Sequence, residues 1–134
     1  MREPLETDYL VVGTGAAGMA FTDALLSHSD ATVTLVDRRH APGGHWIDAY
    51  PYVRLHQPST FYGVSSVPLG RGTVDSAGIN AGFHEQAGAD ELRAYYAQVM
   101  DQHFLPTGRV QHHPCSVHAI GPDGRHFIDR KSVV

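Results

Sequence analysis

The sequence predicts an α/β fold that opens with a strand–helix–strand unit, and three observations predict it. Tyr9-Leu10-Val11-Val12 is a short apolar run leading straight into Gly13-Thr14-Gly15-Ala16-Ala17-Gly18, a G-x-G-x-x-G pattern. A helix-compatible stretch follows. A second apolar run, Thr32-Val33-Thr34-Leu35-Val36, then ends on Asp37. That acid lies 19 residues beyond Gly18, close to the roughly 20-residue spacing at which a carboxylate meets an adenosine ribose in dinucleotide-binding units.

Each part of the pattern has a physical task. Gly13 permits the tight turn out of the strand, Gly15 lets the backbone approach a pyrophosphate, and Gly18 lets the helix pack close to the strand. The phosphates then meet the free N–H groups around Ala16 and Ala17, where the helix dipole favours an anion. The helix is expected over Ala16 to Ser27, with Met19, Ala20, Ala24 and Leu25 against a sheet and His28-Ser29-Asp30 ending it. Glycines also cluster in turns for conformational reasons alone. The flanking strands and the spaced acid are what favour a ligand over an ordinary strand–turn–helix.

A chain of 134 residues is one domain at most, small for an enzyme built on nucleotide-binding folds. A net charge of −4 makes no electrostatic case for nucleic acid. Only 18% of residues are charged, beside 14 glycines and 8 prolines, which describes a loop-rich chain. The single Cys115 rules out an internal disulfide framework and fits a reducing compartment. Pro114 precedes it and no basic pair flanks it, so a structural thiol is expected rather than a nucleophile. Met1-Arg2-Glu3-Pro4-Leu5-Glu6 lacks an apolar signal region, and no apolar run reaches membrane length. The expectation is a soluble, cytoplasmic protein with no membrane partner.

Ten histidines raise the question of a metal, with His112, His113, His118 and His126 close in sequence. There is no H-E-x-x-H and no cysteine pair, and adjacent His112 and His113 would face opposite sides of a strand. No metal site is expected.

Further along, Asp90 to His103 is expected to form a helix capped by Asp90, with Leu92, Tyr96, Val99 and His103 on one face and Pro106 and Gly108 closing it. Arg109 to His113 and Ser116 to Ile120 read as short strands around Pro114. The turn Gly121-Pro122-Asp123-Gly124 leads to a hairpin partner, His126 to Asp129. Between the two organised parts, Ala41 to Ala89 is broken by repeated Gly and Pro. It also carries Trp46, Tyr50, Tyr52, Leu55, Phe61, Tyr62, Val64, Ile79 and Phe83. Loops this long are functional or disordered. The aromatic content argues for an ordered, irregular segment wrapped over a ligand.

With Asp37-Arg38-Arg39 followed by Pro42-Gly43-Gly44-His45-Trp46, the sequence resembles the FAD-binding start of flavin-dependent monooxygenases and related two-dinucleotide oxidoreductases. In that family the ribose-binding acid is followed by a basic residue, a short spacer and Gly-Gly-x-Trp. The likeness continues through Tyr52-Val53-Arg54-Leu55-His56-Gln57-Pro58 and Phe61-Tyr62-Gly63 to Ala94-Tyr95-Tyr96 and the strands beyond, nearly the whole chain. The resemblance implies a Rossmann-like FAD domain with a long cofactor-covering segment and a β-hairpin. It implies a pyrophosphate held by Gly13, Gly15, Ala16, Ala17 and Gly18, and a ribose held by Asp37 with Arg38 over the adenine. Gly44, His45 and Trp46 would lie on the path to the flavin ring, with His56 and Gln57 beside it. Trp46 is equally compatible with core packing, and His56 with a turn histidine bonded to backbone.

Asp37 stands where the family usually has Glu, and Thr22 where a small Ala is common, acceptable if its hydroxyl bonds back within the helix. The family's second glycine motif for NADPH and its closing strand are absent from residues 1–134, so the resemblance implies the N-terminal part of an FAD-binding domain. NAD(P)H and a small-molecule substrate belong to the complete protein. Ser132-Val133-Val134 reads as the start of another strand, and an unpartnered sheet edge there would leave residues 1–134 poorly soluble alone. Two other readings stay open: a nicotinamide-only reductase using the same first unit, and a non-catalytic nucleotide-binding remnant of the flavoprotein fold.

Overall fold

A computed structural model describes residues 4–130. Strands β1 (Tyr9–Val12) and β2 (Val33–Val36) flank helix α1 (Ala16–His28), the expected opening unit. After short strands β3 (Gly63–Val64) and β4 (Val67–Pro68) come helix α2 (Ala89–Gln98), then β5 (Val110–His113), β6 (Ser116–Ile120) and β7 (His126–Arg130). The main sheet has the order β1-β2-β5 and is parallel throughout. Tyr9 lies opposite Val33, and Val33 opposite Val110. β2 is the middle strand, and all four of its residues are buried. Its unbroken β-branched and aliphatic run suits a strand covered on both faces.

α1 runs one residue past the expected end. Its last turn closes where the Ser29 N–H and hydroxyl both donate to the Leu25 carbonyl, at 2.9 and 2.7 Å. The buried stripe differs from expectation: Ala20 and Ala24 are exposed, while Met19, Thr22 and Asp23 are buried. Two polar side chains take core positions, each held by hydrogen bonds on at least one of its oxygens. The Thr22 hydroxyl donates to the Gly18 carbonyl at 2.8 Å, bonding back within the helix. One oxygen of Asp23 accepts from the N–H and the hydroxyl of Ser66, both at 3.0 Å, and the other lies 3.5 Å from His103 Nε2.

α2 begins one residue before Asp90. Gly88 is the N-cap, in extended conformation, and Asp90 sits in the first turn paired with Arg93. Leu92, Tyr96 and Val99 are buried as their spacing predicts, but the fourth core position goes to Phe104 rather than His103. The cause is a change of pitch. Residues Val99–Phe104 form a π-helical turn, whose wider i→i+5 winding advances the buried stripe by one residue. His103 is thereby turned toward Asp23. A 3₁₀ turn, Leu105–Thr107, and Gly108 in left-handed conformation then close the helical stretch.

The segment from 41 to 89 is ordered and mostly irregular. It contains 3₁₀ turns at Gly44–Ile47 and Ser59–Phe61, and the β3–β4 hairpin. Trp46, Leu55, Val64 and Leu69 join the core, whereas Tyr50, Tyr52, Phe61, Ile79 and Phe83 are exposed. Only part of its apolar content is used for burial. The β3–β4 hairpin is held from both helices: the Tyr95 hydroxyl on α2 accepts the Val64 N–H at 2.8 Å and donates to the Val67 carbonyl, and Asp23 on α1 holds the turn. β6 and β7 form the expected antiparallel hairpin, with Ser116 opposite Arg130. Ser132-Val133-Val134 lies outside the described residues.

The contact that seats α1 on the sheet is the approach of Gly18 to Gly13. A Cβ at Gly18 would lie 2.0 Å from the Gly13 carbonyl oxygen and 3.4 Å from Val11 Cγ1. Gly18→Ala is therefore expected to push the helix off the strand and to cost about 1–3 kcal/mol, as overpacking does. Urea denaturation measures it; an unchanged midpoint would mean that helix and strand are not in that contact.

Candidate dinucleotide site

The parallel strands all point their C-terminal ends to one side of the sheet, where ligands gather in open α/β folds. Three chain segments converge there. Gly13 leaves β1 with φ +108°, a conformation that glycine adopts without strain. Gly15 is the N-cap of α1 and supplies no side-chain cap, so the first-turn N–H groups of Ala16, Ala17 and Gly18 have no intrahelical partner. Asp37 follows β2. The start of β6 completes the rim, tied down by the Ser116 N–H donating to the Asp37 carbonyl at 2.8 Å and the Cys115 N–H donating to the Arg39 carbonyl at 3.0 Å.

Together these form a cleft of about 450 Å³ lined by Gly13, Gly15, Asp37, Arg38, Gly44 and the β6 residues Ser116 to His118, among others. The second glycine pair closes against the first. Gly44 has φ +58°, and a Cβ on it would lie 2.9 Å from the Gly15 Cα. Backbone thus meets backbone at the mouth of the cleft, leaving the surface there smooth and rich in amides.

Asp37 is buried at this junction. Its Oδ2 accepts from both the N–H and the hydroxyl of Thr14, each at 2.7 Å, and its Oδ1 accepts the Arg39 N–H at 2.9 Å. Burial by itself would raise this carboxyl. The bonds from Thr14 and Arg39, helped by the Arg39 charge, outweigh it and hold the group below its ordinary value. Asp37 is therefore a fixed anion at neutral pH. The Arg39 side chain turns away to Asp48 at 2.9 Å, while Arg38 is exposed on the rim.

The other residues named from the sequence are distributed as follows. His45 is exposed and packs on Trp46, ring centres 4.9 Å apart. Trp46 is 5% exposed within the core and donates its indole N–H to the Tyr62 hydroxyl at 3.0 Å. His56 and Gln57 are exposed, and the His56 carbonyl accepts from the Gln86 amide at 3.1 Å. None of these four lines the cleft. Conversely, Thr14, Ser116 and Val117 belong to the site without having been singled out, and His118, weighed only for a metal, lines it too. The β6 residues carry no motif, and only the backbone bonds to 37–39 bring them there. Among the described residues no group of three or more His, Cys, Asp or Glu gathers in metal-binding proximity.

A second cleft, of about 530 Å³, lies among Tyr52, Arg54, Asp75, Glu85, Asp90 and Glu91. Four carboxylates against one guanidinium oppose a pyrophosphate there, so size does not make it the dinucleotide site.

His112 lies on β5, and its Nε2 is buried with no hydrogen-bond partner among the described residues. Burial lowers its basicity, against the pull of Asp37 and Asp101. The folded chain thus prefers this imidazole neutral. The unfolded chain binds the proton more readily, so the stability is complete above the ordinary imidazole value and is lost as pH falls. Thermal melting should weaken below about pH 6.5, and His112→Gln should remove part of that slope. The matching loss from Asp37 begins only below about pH 4. Identical pH–melting curves for wild type and His112→Gln would refute the assignment.

The sequence matches the NAD(P)-binding Rossmann-like domain family over residues 11–62, from β1 to the end of the second 3₁₀ turn. Relatives in Mycobacterium tuberculosis and Mycobacterium bovis, both uncharacterized proteins, are 55% identical over 112 residues, covering 84% of this chain. The chain spans 21% of the length of those relatives. Among solved structures, the flavin-containing monooxygenase of Stenotrophomonas maltophilia superposes with a TM-score of 0.57 at 21% identity, over 92% of this chain and 36% of that one. An oxidized steroid monooxygenase bound to NADP superposes with a TM-score of 0.61 at 22% identity, over 94% and 24%. Glycine loop, fold and neighbours agree on the fold: this chain has a Rossmann-like α/β architecture, similar over residues 11–62 to the NAD(P)-binding Rossmann-like family and in its overall fold to a flavin monooxygenase.

Proposed function

We propose that this chain is the FAD-binding portion of an FAD- and NAD(P)H-dependent oxidoreductase of the monooxygenase type. The observation that carries the reading is the meeting of Gly13, Gly15, Asp37 and Gly44 around one cleft, beside the first turn of α1. The parts fit the group. Uncapped amides of α1 suit a pyrophosphate, the Asp37 anion suits a ribose hydroxyl donor, and the Gly15–Gly44 contact leaves no Cβ to obstruct the approach. FAD is preferred over a nicotinamide dinucleotide because Gly44 of the second glycine pair lines the same cleft and the solved neighbours include a flavin-containing monooxygenase.

When bound, the flavin supplies the hydride-accepting chemistry. The residues of this chain bind and orient it: α1 and the loop hold the phosphates, and Asp37 accepts from the ribose. The substrate and the NAD(P)H site are assigned to the remainder of a longer protein, consistent with the length of the relatives. The alternative, a nicotinamide dinucleotide in the same cleft, is favoured by the description of the matching family.

Titration of the 134-residue chain with FAD and with NAD decides between them. FAD is expected to bind with one site per chain and to raise the melting temperature by linkage. Asp37→Ala should cost about 1.5–3 kcal/mol of FAD affinity, the range for a hydrogen bond to a charged group. Tight binding of NAD with none of FAD would replace the flavin reading, and an unchanged dissociation constant in Asp37→Ala would remove the ribose assignment. The chain alone is expected to oxidise NAD(P)H no faster than free flavin does.

A further inference from the structure

We propose that Thr14 is the positioning residue of the ribose site: its hydroxyl and N–H fix the Asp37 carboxylate so that only Oδ1 is presented to the ligand. The proposal rests on the dinucleotide reading above. In G-x-G the middle residue is nominally free, since any residue there offers its N–H. Here it is fully buried, and its side chain adds a second bond to the same carboxylate oxygen at 2.7 Å.

The acceptor inventory gives this bond its consequence. A carboxylate has about four acceptor sites. Thr14 fills two on Oδ2, and the Arg39 N–H fills one on Oδ1. The remaining capacity at Oδ1 is the one left for a ribose hydroxyl. Without the Thr14 hydroxyl, Oδ2 keeps a single donor, and the carboxylate is held in the geometry that meets the sugar by the two backbone N–H groups alone.

Thr14 also joins this acid to the second glycine pair. Its carbonyl accepts the Gly43 N–H at 2.9 Å, and the adjoining Gly44 stands against Gly15. One residue therefore links ribose acid, phosphate loop and cofactor-side backbone. The hydroxyl is the part of that link that a substitution removes while leaving the backbone bonds in place.

The test compares ADP with 2′,3′-dideoxy-ADP, which lacks the ribose hydroxyls, on the full 134-residue chain by calorimetry. Wild type is expected to prefer ADP about tenfold, the value of one hydrogen bond to a charged group. Thr14→Val, which keeps the volume, and Thr14→Ala, which adds no methyl beside the carboxylate, should bind the two nucleotides within about twofold of each other. Thr14→Ser should restore the wild-type preference. A general loss of stability would weaken both nucleotides alike and leave their ratio unchanged, so the ratio is the readout.

Wild-type discrimination retained in Thr14→Val and Thr14→Ala overturns the proposal while leaving the dinucleotide reading intact. So does failure of both variants to fold, since Thr14 would then serve the fold and not the ribose. A wild-type chain that binds ADP without preferring it over the dideoxy analogue removes the ribose role of Asp37, and this inference with it. A wild-type chain that binds neither FAD nor ADP overturns the proposed function as well.

Discussion

Everything at the candidate site depends on how closely α1 is laid on β1. The Gly13 carbonyl occupies the space that a side chain at residue 18 would need, so helix and strand meet through backbone. This approach aims the first turn of α1 over the C-terminal ends of the strands. Without it, the uncapped N–H groups and the Asp37 carboxylate would belong to different parts of the surface. The helix dipole is useful to an anion only within its first turn, so displacing the helix by one side chain is enough to lose it.

A second backbone contact extends the first. A Cβ on Gly44 would lie 2.9 Å from the Gly15 Cα, which makes the loop after β2 a continuation of the glycine loop after β1. The two glycine motifs, separated in sequence, are one surface in space. The tight side of this contact is Gly44: a Cβ on Gly15 would rest 3.4 Å from the Gly44 Cα, an ordinary contact, whereas one on Gly44 would come to 2.9 Å from the Gly15 Cα.

The opening unit was legible in the sequence because its constraints are local. An apolar run, three glycines at fixed spacing and an acid after the next strand each follow from short-range geometry, and the structure places them as that geometry requires. The α2 stripe was legible only as far as Val99, because periodicity assumes constant pitch and the π-helical turn changes it. The buried face of α1 was misread for a different reason. Thr22 and Asp23 look like surface residues until the Gly18 carbonyl accepts from the one and the β3–β4 turn donates to an oxygen of the other. The β6 rim of the cleft had no local signal at all, since it is placed by hydrogen bonds to 37–39 from a strand almost 80 residues downstream in the chain.

The irregular segment shows how a chain rich in glycine and proline can be ordered without burying most of its aromatics. Its order comes from a few polar pins, some set by the helices and some within the segment itself. Asp23 and Tyr95 hold the β3–β4 hairpin from opposite sides, and the Ser59 hydroxyl accepts the Ala87 N–H at 2.8 Å. Glu85 collects the Gly72 N–H at 2.9 Å and the Thr73 hydroxyl at 3.2 Å. The pin that matters to the site is Arg93, whose guanidinium donates from α2 to the Trp46 carbonyl at 2.8 Å. It fixes the 3₁₀ turn that begins at Gly44, and so connects the second helix to the mouth of the cleft. Buried polar bonds are directional where apolar contacts are not. A loop that must present bare backbone to a ligand has no side chains of its own to pack there, and gains its position from donors and acceptors on the elements around it.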